Sequence, residues 1–177
     1  MDSQITPKLV SWHPSKENCF VLNVDGSCLG VSGRAGTGGL IRRGDGSWVT
    51  GFSCYLGISN NTYTELMAIY QGLKLAMNYG CTYICCYSDS KTAIDLISKP
   101  MNRFHLYAPV IANIKEWLNL DWEVNLSHTL RKGNACADFL AKFGSSNDMK
   151  LKIWNTPPKE MDYLLRSDSE ITQYHRH

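Results

Sequence analysis

Apolar and polar residues alternate along the first part of the chain with the period of two that is typical of β-strands. The run from Cys19 to Cys28 follows this pattern and carries Asp25 at its exit. After a glycine-rich stretch from Gly30 to Gly39, the triplet Gly44-Asp45-Gly46 is a hairpin signal, and a further strand pattern extends from Trp48 to Leu56. These patterns predict three successive antiparallel strands.

The apolar period changes to that of a helix in the middle of the chain. Apolar side chains recur three or four positions apart, and either Asn60 or Asn61 is suited to cap the helix at its start. Gly80 supplies the left-handed residue that commonly ends a helix. A helix is therefore predicted between these residues, with an apolar face formed by Leu66, Tyr70, Leu73 and Met77.

Strand and helix patterns alternate after Gly80. A strand is predicted over 81–87 and ends in Ser88-Asp89-Ser90, and a last helix is predicted to begin with Asn134 as its cap. Between them the pattern predicts, in order, helices over 91–98 and 107–120, which Pro100 separates, and a fifth strand over 122–127. The expected result is a compact α/β unit in which helices flank five strands.

Composition divides the chain into three parts. We expect an N-terminal extension over residues 1–17, a single domain over 18–146 and a C-terminal tail over 147–177. The tail opens with a polar stretch and contains Pro157-Pro158. It is expected to be loosely packed, with one short amphipathic segment at Met161–Leu165.

Charge and cysteine content restrict the classes of function only weakly. Eighteen Lys and Arg against 16 Asp and Glu give a formal charge of +2, so no global positive charge marks a polyanion-binding protein. The seven cysteines include no CxxC pair, and no stretch approaches the roughly 18 apolar residues of a membrane span. We expect a monomeric intracellular protein, cytosolic or nuclear, with reduced thiols, no secretion signal and no membrane contact.

Four acidic residues stand among small or apolar neighbours, where packing does not explain them. Asp25 and Asp89 follow predicted strands, Glu65 lies on the first turns of a helix, and Asp138 lies near the start of the last helix. If the two strands are adjacent, their acids meet at one sheet edge, and a helix packed across the sheet adds Glu65. Taken singly, each acid could equally be a turn cap or a solvated charge. Convergence without His or Cys favours Mg²⁺ or Mn²⁺ over zinc, and two such ions ~4 Å apart can activate a hydroxide and neutralise the leaving oxygen of a phosphodiester.

Four sequence blocks around these acids resemble those of type 1 ribonuclease H. They occur in family order and at family spacing, at Val24–Gly30, Thr64–Ala68, Ser88–Ser90 and His128–Ala141. Arg131-Lys132-Gly133-Asn134 and the upstream Trp12-His13-Pro14 are similar to the plant branch associated with non-LTR retroelements. The resemblance implies a ribonuclease H-like fold, in which a mixed sheet of three antiparallel strands followed by two parallel ones is flanked by helices.

The same resemblance implies a metal-dependent endonuclease that cuts the RNA strand of RNA–DNA hybrids by a two-metal-ion mechanism. It implies that Asp25 bridges two Mg²⁺ ions, for which Mn²⁺ can substitute, that Glu65 and Asp89 complete one metal site, and that Asp138 completes the other. His128 stands ten residues before Asp138, and the resemblance gives it a role in proton transfer or product release. Without this ten-residue spacing from Asp138, a lone histidine would be interpreted as an ordinary surface residue.

Contacts with the hybrid are expected from residues around the acids. Asn61 matches a family asparagine that contacts the hybrid, although a role as helix cap explains it equally well. The glycine-rich stretch lets the backbone approach a nucleic acid, although hairpin geometry alone also selects glycine. Two positions depart from the family pattern, because Val31 replaces a ribose-contacting Asn and Lys91 replaces a Gln. The nucleic-acid-binding residues are predicted to be Asn61, Gly26, Ser27, Lys91 and Asn134.

Three functions remain open on the sequence alone. The first is an active hybrid-cutting endonuclease. The second is a retroelement-derived nucleic-acid-binding module with little or no turnover. The third, an exonuclease or transposase of the same fold, predicts a different final acidic block from the one around Asp138. Four intact acids favour the first, because a protein that only binds has no reason to tolerate their mutual repulsion.

Overall fold

In a computed structural model, residues 19–167 are described, so the predicted N-terminal extension and the end of the predicted tail lie outside the described residues. Two short 3₁₀ turns, Arg131–Asn134 and Lys159–Met161, accompany the regular elements. In chain order these elements are β1 (Cys19–Leu29), β2 (Arg34–Arg43), β3 (Trp48–Ile58), α1 (Asn61–Asn78), β4 (Tyr83–Ser88), α2 (Lys91–Ser98), α3 (Ala108–Leu118), β5 (Glu123–His128), α4 (Ala135–Ser146) and β6 (Lys152–Trp154). The predicted strands and helices are all present.

The strands form one mixed sheet with the order β5-β4-β1-β2-β3-β6. β1, β2 and β3 pair antiparallel, whereas β4 pairs parallel with both β1 and β5. The mixed α/β architecture is therefore confirmed. The count of five strands is one too low, because β6 adds a sixth strand antiparallel to β3.

Helix α1 begins and ends where its sequence signals predict. Asn60 is the cap, and its side-chain Oδ1 accepts a hydrogen bond from the backbone N–H of Tyr63 at 3.0 Å. At the other end Gly80 has a φ of +79°, and the N–H groups of Gly80 and Cys81 donate to the carbonyls of Met77 and Ala76. This pair of bonds satisfies carbonyls that the helix leaves without partners. Since Asn60 is the cap, the side chain of Asn61 is not needed for that role.

The two faces of the sheet carry separate apolar cores. One core packs α1, α2 and α3 against β1 and β4, with Leu22 and Ile84 fully buried. The other lies beneath α4, around Leu40 and Leu140. Part of the glycine-rich stretch has a packing role here, because a Cβ on Gly36 or Gly38 would overlap the backbone of α4. These two glycines therefore face α4 instead of offering backbone to a nucleic acid.

The expectation of a loosely packed tail differs from the structure. β6 hydrogen-bonds to β3 over Gly51–Ser53, and the indole Nε1 of Trp154 donates to Ser53 Oγ at 3.0 Å. Met161 is fully buried against the α4 core. The amphipathic segment that follows is helical over 162–167. None of the helices within 19–167 is long and apolar enough to cross a membrane.

Candidate active site

Two acids lie where the parallel pairing between β1 and β4 ends. Val24 of β1 is paired with Ser88 of β4, so Asp25 and Asp89, which each come next in the chain, lie side by side. Asp89 directly follows β4 as predicted, whereas Asp25 lies within β1, because that strand continues to Leu29 in its pairing with β2. Asp25 is only 4% exposed. One of its oxygens, Oδ1, accepts a hydrogen bond from the N–H of Gly26 at 2.9 Å, which fixes the carboxylate against the strand.

The third acid, Glu65, lies on helix α1, which packs closely against β1. A Cβ on Gly26 would lie 2.9 Å from Thr64 Cγ2 and 3.0 Å from the backbone nitrogen of Glu65. Only a glycine at position 26 leaves room for the first turns of α1 at this distance. As a result, oxygens of Asp25, Glu65 and Asp89 all lie within 4.8 Å of one another. The structure thus brings together three of the four acids that the sequence singled out.

Burial and repulsion from neighbouring acids make Asp25 and Glu65 costly to ionise. Burial, followed by the charges of Glu65 and Asp89, raises the pKa of Asp25 from 3.8 to about 10. Burial and the charge of Asp89 raise the pKa of Glu65 from 4.5 to about 7, against the lowering effect of hydrogen bonds from Asp25 and the Gly26 amide. A desolvated carboxyl beside like charges keeps its proton unless a cation compensates.

The chemistry of these side chains fits a hard divalent cation. All the ligand atoms are carboxylate oxygens, which Mg²⁺ and Mn²⁺ prefer. Within the described part of the chain, Glu65 Oε2 is buried and has no hydrogen-bond partner. A buried acceptor without a partner is unfavourable, and a metal ion beside it would remove that cost. The group of Asp25, Glu65 and Asp89 is therefore the candidate metal centre.

Asp138 lies outside the group of three. Its Oδ2 pairs with Lys142 Nζ at 2.8 Å, one helical turn further along α4, and its side chain is 44% exposed. Asp138 is nevertheless near enough for its charge to contribute to the raised pKa of Asp25. Its predicted role as a metal ligand stays a prediction.

His128 and Arg131 flank Asp89 on its open side. Nε2 of the exposed His128 side chain lies 3.2 Å from the backbone carbonyl oxygen of Asp89. Arg131 Nε lies 4.0 Å from Asp89 Oδ2, and the Arg131 side chain is 96% exposed. Both side chains can therefore reach a molecule that covers the acids.

The predicted nucleic-acid contacts fall into two groups. Asn61 and Lys91 are exposed at the first residues of α1 and α2. Gly26 and Ser27 lie on β1 beside the acids, and Ser27 is 9% exposed. Asn134, in contrast, is 1% exposed and cannot touch a nucleic acid in this conformation.

Asn134 also does not act as the helix cap that its position suggested. It stands at the cap position of α4, but its side chain makes no capping hydrogen bond. Its amide instead bonds to Asn23 and to the carbonyl of Val24. Sequence reasoning missed Asn23 and the buried Arg42 that contacts it. The signal available was the polar residue Asn23 among the apolar residues of the first half of β1.

Comparisons with known proteins agree with this architecture. A sequence model of the family described as "Reverse transcriptase-like" matches residues 23–144. The chain is similar to the Arabidopsis thaliana protein named "Putative ribonuclease H protein At1g65750", with 26% identity over 162 residues. That alignment covers 92% of this chain and 26% of the relative. The chain thus spans about a quarter of the length of this curated relative.

Solved structures with the same fold include several ribonucleases H. The N-terminal RNase H domain of rv2228c from Mycobacterium tuberculosis has 22% identity and a TM-score of 0.66, covering 72% of this chain and 94% of that one. RNase H1 of Halobacterium salinarum has 24% identity and a TM-score of 0.65, with 72% and 98% covered. LC11-RNase H1, solved in complex with an RNA/DNA hybrid, has 20% identity and a TM-score of 0.64, with 72% and 96% covered. These likenesses confirm the predicted fold.

Proposed function

Since this chain belongs to the reverse transcriptase-like family and has the fold of type 1 ribonuclease H, we propose that it is a metal-dependent endonuclease that cuts the RNA strand of RNA–DNA hybrids. One observation carries the proposal. The carboxylates of Asp25, Glu65 and Asp89 converge within 4.8 Å where the parallel pairing of β1 with β4 ends, which is a costly arrangement without a cation between them.

Four acids would hold two Mg²⁺ ions, for which Mn²⁺ can substitute. Asp25, whose pKa is raised by burial and by the charges of the other three acids, would contact both ions, Glu65 and Asp89 would complete one site, and Asp138 would complete the other. When bound, two such ions supply the charge that activates the attacking water and stabilises the leaving oxygen. The chain's own contribution would be to hold Asp25, Glu65 and Asp89 together and to supply Asp138 from α4.

His128 is suited to move protons at the edge of the site. Its imidazole is exposed and lies beside Asp89, so it can reach solvent and a bound phosphodiester without first leaving a packed environment. An imidazole can both accept and donate a proton. We assign it to proton transfer or to product release.

The surface around the acids supports contact with a hybrid. Asn61 offers an exposed amide, which can bond to a ribose 2′-hydroxyl or a base edge in the minor groove. Ser27 and the backbone of Gly26 lie beside the acids. The exposed cations Lys91, Arg131 and Lys132 can neutralise phosphates of the bound duplex. LC11-RNase H1, which shares the fold, was solved with such a hybrid.

A second candidate function is a retroelement-derived nucleic-acid-binding module with little or no turnover. The ion pair between Asp138 and Lys142 favours it, because it engages the fourth acid away from the other three. Three crowded acids that repel one another give no advantage to a protein that only binds. We therefore prefer the endonuclease.

A cleavage assay tests the proposal. Purified protein is incubated with a labelled RNA–DNA hybrid, a matched RNA duplex and a matched DNA duplex, each in Mg²⁺ or in EDTA. We expect cleavage of the RNA strand of the hybrid in Mg²⁺ and its loss in Asp25→Asn, whereas Asp121→Asn, which changes an exposed acid, retains activity. Retention of the hybrid without cleavage would favour the binding module, and unchanged turnover in Asp25→Asn would refute the metal assignment.

A further inference from the structure

Three buried polar side chains form a directed chain of hydrogen bonds beneath α4. Arg42 of β2 donates to Asn23 Oδ1 at 3.1 Å, and Asn23 Nδ2 donates to Asn134 Oδ1 at 3.1 Å. Asn134 Nδ2 then donates to the carbonyl oxygen of Val24 at 2.9 Å. The exposed fractions are 5% for Arg42, 4% for Asn23 and 1% for Asn134. The chain thus links β2, β1 and the start of α4 inside the protein.

Such an arrangement needs a reason beyond stability. Burying polar groups is unfavourable unless each finds a partner, and apolar residues of similar size would fill the same space without that requirement. Asn134 stands at the cap position of α4, where an asparagine side chain commonly bonds to the helix. Here its side chain bonds across to β1 instead. The hydrogen bonds therefore serve to fix α4 relative to β1.

The two ends of this connection lie next to two of the acids. The Val24 carbonyl belongs to the peptide group that leads into Asp25. Asn134 precedes Asp138 by four residues, about one helical turn. In addition to the contact of α4 with β2 at Gly36 and Gly38, the bond between Asn134 and Val24 therefore fixes the first turn of α4, which carries Asp138, to the strand that carries Asp25.

Asp138 depends on such an external restraint. Its carboxylate lies outside the group of three acids, and its ion pair is with Lys142, on the same helix. That pair does not connect Asp138 to the sheet. We propose that Asn134, supported by Asn23, is a positioning residue that holds Asp138 at the distance from Asp25 needed for a second metal ion. This inference rests on the proposed function.

Metal titrations of three variants test the role of Asn134. Asn134→Ala removes both hydrogen bonds of the Asn134 side chain, to Asn23 and to the Val24 carbonyl. Asn23→Ala removes the first of these hydrogen bonds and keeps the second. Ile114→Ala is the control, since it truncates a fully buried side chain of α3 in the core on the opposite face of the sheet. The readouts are the Mg²⁺ concentration for half-maximal cleavage, KM for the hybrid, and Mn²⁺ binding by calorimetry without nucleic acid. Thermal melts identify the variants that fold.

We expect Asn134→Ala to raise the half-saturating Mg²⁺ concentration by ~10–100-fold, as loss of a residue that orients a metal ligand does. KM for the hybrid should change less than twofold, and Mn²⁺ binding should weaken in parallel. Asn23→Ala should give a smaller effect, and Ile114→Ala should lower the melting temperature while leaving the metal dependence unchanged. In an Asp138→Asn background, Asn134→Ala should cause no further loss of Mn²⁺ binding.

Two results would overturn the inference while leaving the proposed function intact. One is a folded Asn134→Ala protein with wild-type metal dependence in both readouts. The other is a metal defect that persists at full size in the Asp138→Asn background, because Asn134 would then not act through Asp138. If Asn134→Ala does not fold, Asn23→Ala and its double variant with Asp138→Asn decide the question in the same way. Absence of metal binding and cleavage in the wild type would refute the proposed function and this inference together.

Discussion

Replacing Asp25 by Asn should stabilise the metal-free protein. The pKa of Asp25 is raised from 3.8 to about 10 by burial and by neighbouring acids, so at neutral pH the folded state holds a proton that the unfolded state releases. Folding stability therefore falls as pH rises between those two values. Between pH 3.8 and pH 7 the loss is about 4 kcal/mol, at about 1.4 kcal/mol for each pH unit. The Asp25→Asn variant has no carboxyl at this position and would carry no such loss.

Thermal melts in EDTA measure the effect. At roughly 2–4 °C per kcal/mol for a chain of this size, Asp25→Asn should melt up to about 15 °C above the wild type near pH 7. The difference should shrink towards pH 4, where the unfolded wild type begins to take up the proton as well, and should widen as pH rises to 9. Asp121→Asn, at an exposed position, should show no such trend.

Added Mg²⁺ should stabilise the wild type more than the Asp25→Asn variant. An ion that binds only the folded state stabilises it by RT ln(1 + [L]/Kd), which is about 2.7 kcal/mol at a hundredfold excess over Kd. The wild type should gain this stability and Asp25→Asn should gain less. If Asp25→Asn melts at or below the wild-type temperature in EDTA at pH 8, then Asp25 is a structural residue held by its hydrogen bonds, and the reasoning fails.

Three further predictions concern the surroundings of the acids. His128→Ala should slow cleavage by a factor within the ~10²–10⁴-fold range of proton-transfer groups, and the variant should keep its Mg²⁺ dependence. Unchanged single- and multiple-turnover rates would show that His128 has no role in cleavage. Gly26→Ala should reduce turnover about tenfold or more, because the added Cβ forces the start of α1 away from β1. In the control Gly30→Ala the added Cβ meets no atom within 4 Å, so turnover should be close to that of the wild type. Equal loss of turnover in the two variants would argue against the close approach of α1 to β1 at Gly26. Deletion of residues 148–177 should lower the melting temperature and increase binding of an apolar dye, since β6 and Met161 cover the α4 core; an unaltered melt would show that this cover contributes nothing.

The parts of the fold that could be predicted are those specified by local sequence. Helix α1 has a long apolar period, a capping asparagine and a terminal glycine, and the structure uses all three. The proximity of Asp25 to Asp89 depends on β1 and β4 being neighbours, which was a condition of the sequence-based prediction and which the register shows.

The parts that could not be predicted depend on contacts between distant segments. Strand β6 has three residues, too few for a period to be visible, and it forms because β3 leaves an edge available for pairing. Asn134 carries the ordinary signature of a helix cap, and its actual partner, Asn23, is 111 positions away. The polar residue Asn23 among apolar neighbours indicates a buried polar contact, but the local sequence does not show which distant residue is its partner.

The direct seating of α4 on β2 bears on how this sequence can change over generations. At Gly36 and Gly38 no side chain separates the helix from the strand, since any Cβ there would meet helix backbone. In most cores a larger residue can be accommodated when a neighbouring side chain becomes smaller. Where two backbones are in contact, no side chain can be shortened to make room. Lineages that keep Asp138 in place should therefore be as restricted at these two glycines as at the acids, although neither glycine is part of the candidate metal centre.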